Sequence, residues 1–194
     1  MTASDTFIVM ELLSGGELFN RIVEQGRFTE EAAANLFAQI LLSMEYLHSL
    51  DIVHRDVKPE NILYVSEGAA QIKLIDFGYA GVWAPDKQLT GLCGTPDYVA
   101  PEVLTWYDDD ESGTPYGKGS DLWSLGVLLY VILSGCSPFS ADEEEAILEV
   151  LACRLAPCLG SVVWAHRHGR VCMNGPCVGV EMGVSSGSGH VSCA

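Results

Sequence analysis

The sequence has 194 residues, of which 48% are hydrophobic, so it is long and apolar enough to form one domain with a buried core. Acidic residues outnumber basic ones by 26 to 10, and the formal net charge of −16 argues against a surface that binds nucleic acid or an anionic membrane. Basic partners are favoured instead. The N-terminus lacks the pattern of a secretory signal, and no apolar run reaches the roughly 18 residues of a membrane span, so the expected location is cytoplasmic or nuclear.

The composition changes near residue 150, which divides the sequence into two parts. Residues 151–194 contain one acid, Glu181, and five of the seven cysteines, without a helical or strand-like period. We therefore expect a folded domain over residues 1–150 and a poorly ordered tail rich in cysteine and glycine over residues 151–194. Reduced thiols are one interpretation of the tail. A zinc site is the alternative, formed by two pairs of equal spacing: Cys153 with Cys158, and Cys172 with Cys177.

The first predicted elements are a strand and two helices. Residues 7–12 form a short apolar run that ends before two glycines, which predicts a buried strand followed by a turn. A short helix is predicted over residues 17–24. A longer helix opens at Thr29, because threonine is a good N-cap and two glutamates follow it in the first turn. Its predicted core face consists of apolar residues at helical spacing: Leu36, Phe37, Ile40, Leu41, Met44 and Leu47.

A hairpin and two more helices are predicted further along the chain. Two short apolar runs, residues 62–65 and 71–75, are separated by a turn and are expected to pair as antiparallel strands. The next helix, about residues 118–134, is apolar nearly all round, which predicts that it is buried. Its apolar stretch is too short to cross a bilayer. A last helix is predicted to open over residues 142–150.

Four polar motifs lie on or beside the predicted loops. In chain order they are His54-Arg-Asp-Val-Lys-Pro-Glu-Asn61, Asp76-Phe-Gly78, Gly94-Thr-Pro-Asp-Tyr-Val-Ala-Pro-Glu102 and Asp121-Leu-Trp-Ser-Leu-Gly126. They contain the groups that the transfer of a phosphoryl group requires, which are ligands for Mg²⁺, a cation and a proton acceptor. Asp76 and Asn61 offer hard oxygen ligands, Lys58 is a point cation, and Asp56 can accept a hydroxyl proton. The alternative is that these Asx residues only cap turns.

The four motifs, in this order and at this spacing, resemble the catalytic domain of eukaryotic protein kinases. The resemblance implies an α+β, protein-kinase-like fold, with a mainly α-helical C-lobe, a hinge strand and a small β-hairpin. It also implies ATP and Mg²⁺ as cofactors and proteins as substrates. The Lys58-Pro59-Glu60 form of the catalytic loop, together with Thr95, looks like that of serine/threonine kinases. The segments that begin at Met10, Cys93 and Tyr98 look like the calcium/calmodulin-dependent kinase group.

The resemblance assigns roles to individual residues in the matching motifs. Asp56, Lys58 and Asn61 would be catalytic, and Asn61 and Asp76 would bind the metal ion. The implied nucleotide-binding residues are Met10, Glu11, Leu13, Glu17, Leu63 and Asp76. The implied substrate-binding residues are Glu17, Glu60 and Thr95, and those with structural roles are His54, Arg55, Phe77, Gly78, Glu102 and Asp121. Residues 76–102 would form the activation segment, with Thr90 as its phosphorylation site; the alternative for Thr90 is an unmodified loop residue.

The resemblance is partial, and this leaves two hypotheses open. The sequence contains no Gly-x-Gly-x-x-Gly motif. We therefore expect the N-lobe to be absent and this chain to have weak or no activity. The first hypothesis is a serine/threonine kinase that prefers Ser or Thr near basic residues, since Glu17 and Glu60 are acidic. The second is a non-catalytic, pseudokinase-like binding module. Neither nucleic acid nor a membrane is an expected partner, and the tail has no basic amphipathic stretch that would support calmodulin binding.

Overall fold

The computed structural model describes residues 7–106 and 113–139. Four helices and four short strands are named here. In chain order they are α1 (Leu18–Gln25), α2 (Glu30–Ser49), β1 (Ile52–Val53), β2 (Ile62–Tyr64), β3 (Ile72–Leu74), β4 (Gly81–Val82), α3 (Pro101–Leu104) and α4 (Gly119–Ser134), with 3₁₀ turns at Pro59–Asn61 and Pro96–Tyr98. The predicted helix at residues 142–150 and the cysteine tail lie outside the described residues. In the described part of the chain, no helix is both long and apolar enough to cross a bilayer.

Helix α2 lies in the core and confirms the prediction made from its sequence. The Thr29 side chain accepts a hydrogen bond from Ala32 N at 3.2 Å, as expected for an N-cap. Four of the six predicted core residues are buried, namely Leu36, Ile40, Met44 and Leu47. Phe37 is partly buried, whereas Leu41 is exposed because it lies at the edge of the apolar face.

The predicted strand over residues 7–12 is wrong. These residues form no strand, and five of them are exposed: Phe7, Ile8, Val9, Met10 and Leu12. Backbone pairing with the hairpin begins only at Ser14, whose N–H donates to the carbonyl of Val65 at 3.1 Å. A strand needs a neighbour to satisfy its backbone groups and cover its side chains, and none of the described strands pairs with residues 7–12.

The predicted hairpin is confirmed, and a second strand pair accompanies it. Strands β2 and β3 are antiparallel, with Leu63 opposite Lys73. Strands β1 and β4 are also antiparallel, with Ile52 opposite Val82. The second pair was not predicted, because two-residue strands carry no period. The two pairs flank the segments that hold residues 54–61 and 75–80, and so they fix both ends of the polar loops.

Helix α4 is buried on one face and exposed on the other, so the prediction of a buried helix is correct for one face only. Leu125, Leu128 and Ile132 face the core, but Leu122 and Tyr130 are about half exposed. The exposed residues recur at helical spacing, and no described element covers this stripe. The helix ends at Gly135 in a left-handed conformation (φ +80°, ψ 3°), whose N–H donates to the Val131 carbonyl.

We expect Gly135→Ala to lower the free energy of unfolding by about 3 kcal/mol, measured by urea denaturation. A Cβ at Gly135 would lie 2.1 Å from the backbone carbonyl oxygen of Gly26, in addition to the cost of its positive φ. Gly68→Ala is the matched control, since Gly68 also has a positive φ (+73°) but has open space around the added methyl group. The control should cost about 1 kcal/mol. Equal losses for the two variants would contradict the argument.

Candidate active site

Asp56 is the centre of a compact polar network in the loop after β1. Its side chain is only 4% exposed. Oδ1 accepts a hydrogen bond from Thr95 Oγ1 at 2.7 Å, and Oδ2 accepts one from Asn61 Nδ2 at 2.9 Å. Lys58 Nζ lies 3.0 Å from Oδ2 and donates to Thr95 Oγ1 at 2.7 Å. The structure therefore brings together four of the residues that the sequence selected.

The network keeps the Asp56 carboxylate ionised. Burial raises the pKa of this carboxyl group. Hydrogen bonds from Thr95, Lys58 and Asn61, together with the charge of Lys58, lower the pKa by more than burial raises it, so the pKa lies below its ordinary value. A carboxylate in this state can accept a hydrogen bond from a hydroxyl group at neutral pH.

Asp121 of α4 binds the backbone of the loop that contains Asp56. Its carboxylate is completely buried and accepts hydrogen bonds from His54 N at 2.9 Å, Arg55 N at 2.8 Å and His48 Nε2 at 2.8 Å. Arg55 has a positive φ of +67°, which is unfavourable for a residue with a Cβ. The two bonds to backbone N–H groups stabilise this conformation directly before Asp56.

His54 joins the loop to the Asp76-Phe77-Gly78 motif. Its ring is buried; Nε2 lies 3.1 Å from the Ile75 carbonyl oxygen, and Nδ1 lies 3.3 Å from Asp56 N. Burial lowers the pKa of His54, so the neutral ring with hydrogen on Nε2 satisfies both contacts. The Phe77 ring packs against it with a centroid separation of 5.1 Å. His54 and Phe77 thus connect two of the four motifs.

Asn61 and Asp76 fit the requirements of a Mg²⁺ site. Asn61 donates from Nδ2 to the Asp56 carbonyl at 2.8 Å as well as to its carboxylate, which leaves the Asn61 amide oxygen free of these bonds. Ile75 N donates to the Asn61 carbonyl at 2.9 Å, so the residue before Asp76 is tied to Asn61. Asp76 is exposed and has a φ of +60°; its Oδ1 accepts from Gly78 N at 3.0 Å.

Two hard oxygen ligands are typical of Mg²⁺ sites that are completed by water and nucleotide phosphates. Among the described residues no group of three or more His, Cys, Asp or Glu side chains is placed to hold a metal ion. The amide oxygen of Asn61 and the carboxylate of Asp76 are hard donors, so this pair fits Mg²⁺ whose other ligands are water and phosphate.

The residues assigned to the nucleotide are only partly brought together. Glu17 and Leu63 are opposite each other in an antiparallel bridge, beside the start of α1. Glu11 forms an ion pair with Lys73 of β3. Met10 is 81% exposed, and Leu13 is half-buried. The hairpin thus places one edge of the implied nucleotide site, while Met10 has no core around it in the described residues.

The Glu60 side chain has an unusual environment. Its Oε2 atom is buried and has no hydrogen-bond partner among the described residues. Buried carboxylate oxygens are normally paired, because leaving one unpaired costs free energy. Glu60 also lies close enough to Tyr98 for its charge to contribute to a raised Tyr98 pKa, after the larger effect of burial. An incoming cation would satisfy this oxygen.

Two further predicted residues, Thr90 and Glu102, lie within residues 76–102, the segment that the resemblance implies to be the activation segment. Thr90 is exposed, Glu102 is partly buried on α3, and Glu102 has no ion pair among the residues described. Sequence reasoning missed Tyr116, whose hydroxyl lies 3.2 Å from Arg55 Nη1 and 2.9 Å from the Gly91 carbonyl. Nothing in its sequence context distinguishes it from a core tyrosine.

Comparison with known proteins agrees with this geometry. Residues 1–160 match the protein kinase domain family, so the chain belongs to that family. A probable myosin light chain kinase from Dictyostelium discoideum is 48% identical over 143 residues, which are 73% of this chain and 39% of the relative. Calcium-dependent protein kinase 2 from Arabidopsis thaliana is also 48% identical over 143 residues, 73% of this chain and 21% of the relative.

A third relative, the serine/threonine-protein kinase PEPKR2 from Arabidopsis thaliana, is 47% identical over 149 residues, 76% of this chain and 30% of the relative. The chain therefore spans between 21% and 39% of the length of these three curated relatives. All three are kinases by name, and they are consistent with the calcium/calmodulin-dependent group. The predicted family and fold class are confirmed.

Proposed function

We propose that the chain contributes the catalytic loop and the substrate-facing part of a serine/threonine protein kinase, which transfers the γ-phosphate of ATP to Ser or Thr hydroxyl groups of proteins. One observation carries the proposal. The buried Asp56 carboxylate is held by Lys58, Asn61 and Thr95 in a single network, and these groups are the proton acceptor, cation and positioning partners that phosphoryl transfer needs.

In the proposed reaction Asp56 orients the attacking hydroxyl group and accepts its proton. The hydroxyl oxygen forms the new bond to the γ-phosphorus as the bond to the ADP oxygen breaks. Lys58, whose Nζ lies 3.0 Å from Asp56 Oδ2, would stabilise negative charge on the phosphoryl group. Mg²⁺, held by Asn61 and Asp76, would neutralise phosphate charge when bound.

The proposed nucleotide site uses residues from the chain before α1 and from the hairpin. The backbone of residues 11–13 would hydrogen-bond adenine, and Met10 would be the gatekeeper residue. Leu63 would lie beneath the ring, and Glu17 would bind ribose or a substrate arginine. Since the printed residues contain no Gly-x-Gly-x-x-Gly motif, we expect this chain by itself to bind ATP weakly and to transfer phosphate slowly.

Basic residues near the target hydroxyl are the proposed determinant of substrate choice. The buried, unpaired Oε2 atom of Glu60 supports this proposal, because an arginine would supply the missing hydrogen bonds and neutralise the charge. The formal net charge of −16 would also attract basic peptides. The test is transfer of labelled phosphate from Mg-ATP to an Arg-rich Ser/Thr peptide and to the same peptide with Arg replaced by Ala. Equal transfer to the two peptides contradicts the proposed preference.

We expect Glu60→Gln to remove most of the preference for the Arg-rich peptide. The loss of one charged partner should raise the KM for that peptide by about tenfold or more and leave the KM for the Ala peptide unchanged. Glu67→Gln is the control, since Glu67 is an exposed glutamate in the turn between β2 and β3. An unchanged peptide preference in Glu60→Gln would show that Glu60 does not bind the basic residue.

A further inference from the structure

Tyr116 lies where the start of α4 meets the activation segment. It is buried, at 4% exposure, and its backbone pairs with Leu89 through two hydrogen bonds: Leu89 N to Tyr116 O at 3.0 Å and Tyr116 N to Leu89 O at 2.9 Å. The tyrosine is therefore fixed to the segment at one point by its backbone. Its side chain reaches a second point on the same segment and one on the catalytic loop.

The Tyr116 hydroxyl group bridges these two parts of the chain. It donates to the Gly91 carbonyl at 2.9 Å, accepts from Arg55 Nη1 at 3.2 Å, and lies 3.4 Å from Cys93 Sγ. Burial raises the pKa of Tyr116 to about 12, so the phenol stays protonated and can donate and accept at once.

Several groups hold Arg55, and Tyr116 links its guanidinium to the Gly91–Gly94 part of the activation segment. The guanidinium also donates from Nε to the Tyr79 carbonyl, and the Arg55 backbone is bound by Asp121. Gly94 packs against Arg55, since a Cβ there would lie 2.6 Å from the Arg55 carbonyl oxygen. The next residue, Thr95, is bonded to Asp56. A shift of residues 91–94 away from Arg55 would therefore also move Thr95 away from Asp56.

We propose that the Tyr116 hydroxyl is a positioning group that joins Arg55 to the activation segment at Gly91 and Cys93, and so holds the segment against the catalytic loop without a phosphate. The assignment of residues 76–102 as an activation segment rests on the proposed function. The contacts of Tyr116 do not depend on the proposed function, because they can be tested without ATP and without phosphate transfer.

The test measures the accessibility of Cys93. Iodoacetamide labels the folded full chain, and mass spectrometry of peptides gives the labelling rate of Cys93 with Cys136 as the internal reference. We expect Tyr116→Phe, which removes one oxygen atom, to raise the Cys93 rate about fivefold. Amide hydrogen exchange should rise over residues 89–95 in the same variant. Tyr64→Phe is the matched control, because it removes another buried hydroxyl group beside a guanidinium, that of Arg21.

A double-mutant cycle with Arg55→Lys separates positioning through Arg55 from general packing. If Tyr116 acts with Arg55, the Tyr116→Phe change should raise Cys93 labelling much less in the Arg55→Lys background than in the native chain. Additive effects, an unchanged Cys93 rate in Tyr116→Phe, or an equal rise in Tyr64→Phe would each overturn the proposal. Because labelling requires no catalysis, a chain that transfers no phosphate can still pass this test.

Discussion

Asp56→Asn is expected to lower the rate of phosphate transfer to a Ser/Thr peptide by about 100-fold or more. The asparagine amide cannot accept the hydroxyl proton, although it has almost the same shape as the carboxylate. In the native chain Lys58 and Asn61 both donate to Asp56 Oδ2, and the change would place an amide group opposite these two donors. The measurement is the initial rate with labelled ATP, at equal concentrations of folded protein.

Asp51→Asn is the matched control for this variant. Asp51 is an exposed carboxylate that pairs with Lys118 at 2.6 Å, outside the network around Asp56. Its positive φ of +58° suits asparagine as well as aspartate, so the backbone should not change. Transfer by this control should equal that of the native chain. Similar rates for Asp56→Asn and Asp51→Asn would remove Asp56 from the proposed reaction.

Asp121→Asn is expected to lower the free energy of unfolding by about 3 kcal/mol, measured by urea denaturation. The fully buried carboxylate accepts from His54 N, Arg55 N and His48 Nε2, and an amide would oppose one or more of these donors with a donor of its own.

Asp51→Asn, which removes an exposed ion pair, is also the control for Asp121→Asn. Asp51→Asn should cost less than about 1 kcal/mol, because surface ion pairs contribute little. If Asp121→Asn is as stable as Asp51→Asn, the carboxylate does not hold the loop in the way the hydrogen bonds indicate.

The polar site could be predicted from sequence because its residues are close along the chain and have specific chemistry. Asp56, Lys58 and Asn61 lie within six residues, and the structure places all three in one network. Asp121 comes from a distant helix, but its motif in the sequence already marked it. Its hydrogen bonds to the loop become visible only in the folded chain, where α4 packs against α2 and brings Asp121 to His54 and Arg55.

The parts that sequence failed to predict depend on neighbours that a local pattern does not contain. Residues 7–12 have the composition of a strand, yet no described strand pairs with them, so their apolar side chains are exposed. Helix α4 is apolar on all sides, but only its inner face is covered by described elements. Tyr116 has no motif of its own, and its position between Arg55 and Gly91 follows from tertiary packing alone.

The most direct test of the central claim is the chemical identity of the labelled residue after incubation with γ-labelled ATP, Mg²⁺ and an Arg-rich Ser/Thr peptide. The account predicts slow labelling of Ser or Thr in the peptide by the native chain, abolished by removing Mg²⁺ and reduced to background in Asp56→Asn. Peptide labelling by folded Asp56→Asn at the rate of the active native chain would contradict the claim that this network transfers phosphate.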